Sequence, residues 1–341
     1  MIDISNEKVF EEYLLRKKLI NHEEGYKILY LTGGVSGTTA LVTSGEKEMI
    51  VKQALAKLKV AEEWLCDPAR MEIEMKSNAV YHRLVPENVP AVISYDEKNY
   101  IFVREAAPEY CRMWKTDLMA GKLDFHVAKR VIDTLAIVHN ACATDEEVAK
   151  DFADNQIFYE LRISPYIEFI CGKHPNLVEY ATPIIKELME SKVTLVHGDY
   201  SPKNVVVFDE TVYVTDYEVA HYGHPSFDLG FLCNHLILKS IHMREFGDGF
   251  LGMLRYVLSS YFEKCNYMSK EDLEESFLKV LPLLMIARVD GKSPVEYLVD
   301  PKVKEFVRVL AFGLIENKIT KIEDMLDYLY KNVIMSLPKN Y

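Results

Sequence analysis

The apolar period of this chain changes once, near residue 105, and that change restricts the folds open to it. Before it, apolar residues alternate in short runs broken by turns: Ile28 to Leu31, Ala40 to Val42, Met49 to Gln53, Ala91 to Tyr95 and Tyr100 to Arg104. Period-two runs between Gly, Ser, Asp and Asn clusters predict strands joined by hairpins. One longer segment, 68–84, opens with Pro68 after Asp67 and predicts a helix. After residue 114 apolar residues recur three and four apart, notably over 125–142, 155–171 and 178–190. A single β island interrupts them, at Val193–Val196, Val205–Phe208 and Val212–Thr215. Strands gathered at one end and helices at the other predict an α+β chain. Residues 1–105 would form a five-stranded antiparallel sheet with one main helix, and 106–341 a mostly helical unit, with a short hinge at Glu105–Pro108. Residues 6–20, with Val9, Phe10, Tyr13 and Leu14 on one stripe, predict a short amphipathic helix ahead of the sheet.

The β island holds the residue types that carry chemistry. His197-Gly198-Asp199-Tyr200-Ser201-Pro202-Lys203-Asn204 is followed, twelve residues after Asn204, by Asp216-Tyr217-Glu218. Phosphoryl transfer to an alcohol needs a carboxylate at the attacking hydroxyl and oxygen ligands for a cation bridging the phosphates. A catalytic Asp five residues before an Asn, with a second Asp after a strand pair, is the protein-kinase arrangement. Asp199, Asn204 and Asp216 have that spacing.

The whole pattern, HGDxxxxN, then TDYE, then Pro225-Ser226-Phe227-Asp228-Leu229-Gly230, resembles the aminoglycoside phosphotransferase and choline kinase superfamily. The resemblance implies a bilobal, protein-kinase-like fold and a small-molecule kinase using Mg²⁺ and ATP or GTP. It gives Asp199 the catalytic carboxylate, Asn204 and Asp216 the metal, His197 a bracing role and Asp228 a clamp on the catalytic loop. Glu218 falls near the metal or the acceptor. In the Gly-rich turn, Gly34, Ser36, Gly37 and Thr38 would meet the nucleotide phosphates. Lys52, ending the third strand, would pair with phosphate and with a helix carboxylate. Glu72 is preferred to Glu74 because apolar Met75, Ala79 and Val80 follow it at helical spacing. Glu105 stands at the hinge, where a nucleotide base would meet backbone. His139 fits the family's LAxxH helix as a buried core residue. His221 and His224 lie in a loop without a matching Cys or carboxylate pattern and do not suggest a metal pair.

The acceptor is narrowed by what is missing. Only eleven residues separate Asp216 from Asp228, and no Ala-Pro-Glu follows, so a docked protein substrate is not expected. Val51 to Leu55, Val85 to Pro90 and Phe227 to Leu238 resemble methylthioribose kinases, which implies a neutral or weakly charged sugar or polyol. Asn204 departs from that pattern, and Arg288 stands alone where a substrate-clamping pair is expected. Aminoglycosides and choline or ethanolamine remain alternative acceptors, and a nucleotide-binding pseudokinase the alternative without turnover. Residues 222–341 hold 16 acidic and 15 basic residues, which gives a polycation no acidic surplus to bind.

The net charge of −12 argues against nucleic-acid binding, which rests on Lys and Arg at phosphates. No run of residues is long and apolar enough for a membrane span, and the amino terminus lacks a signal-peptide core. Six cysteines without a CxxC pair read as free thiols, and the expected location is the cytoplasm.

Overall fold

In the computed structural model of this chain, residues 2–31, 37–54 and 67–335 are described. Gly34, Ser36 and most of the Gly-rich turn lie outside them. Helix α1 (Glu7–Arg16) opens the chain, with the Asn6 side chain accepting a hydrogen bond from the Val9 N–H. Strands β1 (Tyr26–Leu31), β2 (Gly37–Ser44) and β3 (Lys47–Ala54) follow. Helix α2 (Arg70–Leu84) is inserted before β4 (Val92–Asp96) and β5 (Ile101–Glu105). The strands form one antiparallel sheet in the order β1-β2-β3-β5-β4, with Lys52 of β3 opposite Thr39 on one side and Phe102 on the other.

Both sheet faces are covered, by different means. Phe10, Tyr13 and Leu14 of α1 pack with Val42, Val51, Ile101 and Val103 in one core. Met71 of α2 packs with Ala54 and Phe102 in another. The far end of α2 leaves the sheet: Tyr81, with Val85 and Val89 beyond it, joins the large core of the helical region. One helix is thereby rooted in both halves of the molecule, and its polar residues lie at their junction.

The helical region follows the sequence periodicity over Phe125–Cys142 and Val178–Glu190. It departs over Tyr159–Glu168, where the helix widens to π-type turns around Pro165. Proline lacks the N–H that an α-helix would use, and a wider turn absorbs the loss. Arg162 projects from this stretch. The β island is larger than its sequence suggests. Arg112–Met113 adds to the Val205–Phe208/Thr211–Val214 hairpin, and His221–Gly223 pairs with Thr194–Val196. Strands of two or three residues are too short to show a period. The helix Ser226–His242 is buried on nearly all sides, so it too shows no stripe.

The loop after Thr194–Val196 depends on one glycine. Gly198 has φ +76°, and a Cβ there would lie 2.6 Å from the Val219 carbonyl oxygen. Gly198→Ala is expected to destabilise the protein by about 1–3 kcal/mol, from left-handed strain plus the clash. Urea unfolding measures it, and a change within error would show that the loop relaxes freely.

Candidate active site

Three segments converge on the Lys52 ammonium. Its Nζ lies 2.7 and 2.8 Å from the two Glu74 carboxylate oxygens and 2.7 Å from Asp216 Oδ1. The helix partner is therefore Glu74 and not the expected Glu72, which is half-buried and pairs with Lys76 one turn on. The reason lies in the inward face of α2, formed by Arg70, Met71, Glu74, Ser77, Asn78 and Tyr81. That face is at helical spacing but mostly polar, so counting apolar neighbours picks the wrong side.

Arg70, four residues before Glu74, has no role in the sequence reading. Its fully buried guanidinium donates from Nε to Glu218 Oε2 at 3.0 Å. Ser77 Oγ approaches the Tyr217 carbonyl at 3.4 Å, so α2 holds the Asp216-Tyr217-Glu218 turn at several points. Asp216 itself has φ +73°, an uncommon backbone state for a non-glycine residue, and it aims the carboxylate at Lys52.

Glu74, Asp216 and Glu218 each present an oxygen within 4.8 Å of the others. Burial favours the neutral carboxyl at Glu74 and Asp216, and the nearby cations do not treat the two alike. Lys52, then Lys203, overcome burial at Asp216 and hold its pKa well below the usual carboxylate range. At Glu74 burial outweighs Lys52 and pushes the pKa up to about 7. Asp216 and Glu74 together also overcome the burial of Lys52 and hold its pKa above the usual lysine value. Three converging carboxylates offer oxygens of the kind a divalent cation takes as ligands.

The His197–Asn204 loop is anchored at its start by one carboxylate. Asp228 accepts from the His197 N–H at 2.6 Å and the Gly198 N–H at 2.8 Å, and His139 Nε2 lies 3.3 Å away. His197 bridges inside the loop: its Nδ1 accepts from the Asp199 N–H, and its Nε2 lies 3.2 Å from the Thr215 carbonyl. These contacts leave the ring bracing the loop, and Tyr81 and Tyr217 pack against it.

Asp199 is crowded on one oxygen and bare on the other. Its Oδ2 lies 2.8 Å from Lys203 Nζ, 2.9 Å from Asn204 Nδ2 and 3.2 Å from Arg162. Its Oδ1 is buried without a protein partner. Lys203 and Arg162 more than offset burial, so the group stays ionised. Asn204 commits its amide nitrogen to Asp199, which turns its amide oxygen away as a ligand atom.

The remaining expected residues lie apart from this cluster or approach it through backbone. Gly37 and Thr38 begin β2, paired with Ala54 and Gln53. A Cβ at Gly37 would come within 2.5 Å of the Gln53 carbonyl oxygen. Glu105 spends its N–H on the Ala91 carbonyl at 2.9 Å, and its own carbonyl accepts from Arg104. His221 and His224 bond to the Val219 carbonyl and to Ser226.

Residues 27–256 match the phosphotransferase enzyme family (APH). The chain belongs to this family. Among curated proteins, a methylthioribose kinase of Bacillus cereus (strain G9842) is 26% identical over 229 residues, which is 59% of this chain and 58% of that protein. Another, from Bacillus thuringiensis (strain Al Hakam), is 26% identical over 235 residues, 61% of this chain and 59% of the relative. The chain thus spans under two thirds of the length of these relatives. Among solved structures, amicoumacin kinase hAmiN, in complex with AMP-PNP, Ca²⁺ and Ami, superposes with a TM-score of 0.55 at 12% identity, over 92% of this chain and 95% of that one. The macrolide 2'-phosphotransferase MphH from Brachybacterium faecium gives 0.50 at 12% identity, over 97% and 98%. At such identities the likeness is one of fold, and it is the bilobal kinase-like α+β fold.

Within this family member, Arg70, Lys203 and Arg162 are the site residues that sequence reasoning passed over. Lys203 had a signal, four residues after Asp199 in the motif. Arg70 had a weaker one, its i, i+4 spacing to Glu74. Arg162 had none, because the wide turn that aims it has no sequence period.

A test of the α2 assignment follows from charge. Glu74 has a folded pKa above its unfolded value, so below about pH 4.5 both states hold the proton and the site is not penalised. As pH rises to about 7 the unfolded chain ionises first, and folding loses stability through that window. Glu74→Gln should therefore gain stability relative to wild type between those pH values, whereas Glu72→Ala should stay within about 0.5 kcal/mol throughout. Urea unfolding across pH measures both; equal curves for Glu74→Gln and wild type would refute the assignment.

Proposed function

We propose that the protein transfers the γ-phosphate of ATP to a hydroxyl of a small molecule. The observation that carries this reading is the bare Oδ1 of Asp199, a buried carboxylate oxygen held ionised beside the Lys52, Glu74 and Asp216 cluster. A buried acceptor without a donor is costly, and an alcohol O–H supplies the donor. Family membership and the named methylthioribose kinase relatives support the same reading, with a sugar-like hydroxyl as acceptor.

In this proposal residues 1–105 bind nucleotide and 106–341 bind the acceptor. Lys52 meets the phosphates, and Gly34, Ser36, Gly37 and Thr38 belong to the turn that covers them. Asp216, Glu218 and the Asn204 amide oxygen are the atoms suited to hold Mg²⁺, which when bound would neutralise charge on the phosphates. Asp199 orients the attacking hydroxyl through Oδ1 and receives its proton late, because Lys203 and Arg162 keep its basicity low. A loose, metaphosphate-like transition state asks for alignment more than for a strong base. Glu74 fixes Lys52, and Arg70 fixes Glu218. Free thiols at the five described cysteines, and no described helix long and apolar enough to cross a membrane, support a cytoplasmic setting.

Two substitutions separate the roles. Asp199→Ala should lower turnover by at least about 10²-fold with ATP affinity retained, since the lost contact is to the acceptor. Asp216→Ala should lose both turnover and the Mg²⁺-dependent part of ATP affinity. Coupled ADP release and calorimetric titration with and without Mg²⁺ read these effects. Near-normal turnover by folded Asp199→Ala would overturn the reading.

A further inference from the structure

Beyond Arg162 the interior holds cations that pair with no carboxylate among the described residues. Arg162 lies over the Tyr166 ring, 5.6 Å from its centroid, and Arg288 lies over the same ring at 5.7 Å. Arg288 is 8% exposed, donates to the Tyr166 hydroxyl at 2.9 Å and to Ser293, and leaves its Nε without a partner. Lys239, on the buried helix Ser226–His242, is 1% exposed. Among the described residues its Nζ meets the His235 carbonyl at 3.5 Å and the Tyr297 ring at 5.2 Å. His235, one turn earlier and 6% exposed, has an unpartnered Nε2. The acid nearest in charge, Glu296, is already paired with Lys115.

Buried charge is ordinarily paired or hydrogen-bonded, because removing it from water costs several kcal/mol per ion. Among the described residues neither Lys239 nor Arg288 forms an ion pair. Lys52, Arg70 and Arg162 do. The charges bearing most on Lys239 are Lys115, Arg288 and Glu296.

We propose that the acceptor carries an anionic group, a carboxylate or a phosphate, seated on Lys239, Arg288 and His235 while its hydroxyl faces Asp199. This rests on the kinase reading above and narrows its acceptor class. A guanidinium edge, an ammonium and an imidazole nitrogen are donors of the kind such oxygens accept. Burial, with Lys115 and Arg288 nearby, pushes Lys239 down to about 7, so an arriving anion would recharge it where its effect is largest. The near balance of acids and bases in residues 222–341 conceals this, since the acids lie mostly elsewhere. Within the sugar-like acceptors of that reading, the inference points to a sugar acid, sugar phosphate or comparable hydroxy anion.

The test uses the full chain and two matched sets: ribose, ribonate and ribose 5-phosphate, and glycerol, glycerate and glycerol 3-phosphate. In coupled ADP release, an anionic member of a set should show kcat/KM at least tenfold above its neutral parent. The carboxylate and phosphate arms tell the two groups apart. Lys239→Met should raise the KM for that anion at least tenfold, with ATP affinity as the control, and should raise the melting temperature because a buried amine without an ion pair is replaced by an apolar side chain. Arg288→Gln should raise the same KM. Neutral parents used equally well, or an unmoved KM in Lys239→Met, would overturn the proposal. If none of the six is turned over, calorimetric titration of each decides. Anions binding no better than their parents, with ATP binding intact, overturn the anion site and leave the kinase reading standing. Loss of ATP binding overturns the kinase reading, and tighter anion binding still supports the site.

Discussion

The ion pair between Lys52 and its two carboxylates is the contact on which the rest of the site depends. Lys52 comes from the sheet, Glu74 from α2 and Asp216 from the turn after the central hairpin, so one ammonium joins three separate segments. All are largely withdrawn from water, where each charge is costly alone and tolerable together. Arg70 extends the arrangement to Glu218, and α2 thereby sets two of the three acids. Because the end of α2 is anchored in the helical core through Tyr81, the carboxylates are fixed relative to the catalytic loop as well as to the sheet.

A second constraint operates at the loop. Asp228 accepts two successive backbone N–H groups, and His197 ties Asp199 back to Thr215, so the backbone around Asp199 has little freedom. Gly198 supplies the turn that brings those N–H groups together. The result is a carboxylate with one oxygen committed to Lys203, Asn204 and Arg162 and the other left bare. Orientation of that kind is what phosphoryl transfer asks of a protein, since the charge on the phosphates is handled by cations and the proton moves late.

Electrostatics divides the interior in two. Around Lys52 three carboxylates converge, which suits a metal ion. Around Lys239 and Arg288, neither base forms an ion pair among the described residues, which suits an anion. Asp199 lies between these regions, linked to the second by Arg162 and the Tyr166 ring.

The sequence by itself determined the division into a strand-rich and a helix-rich part, together with the identity and order of Lys52, Asp199, Asn204, Asp216 and Asp228. Those are properties of period and of short-range spacing, which survive in one dimension. Only the tertiary structure decided that Glu74 and not Glu72 faces Lys52, because the buried face of α2 is polar and a count of apolar neighbours reads it backwards. It alone brought Arg70 to Glu218 and, from a π-turn without sequence period, Arg162 to Asp199. It alone revealed unpaired cations in a segment whose charges nearly balance. Net charge adds over a chain, whereas the cost of a charge depends on which groups the fold sets beside it.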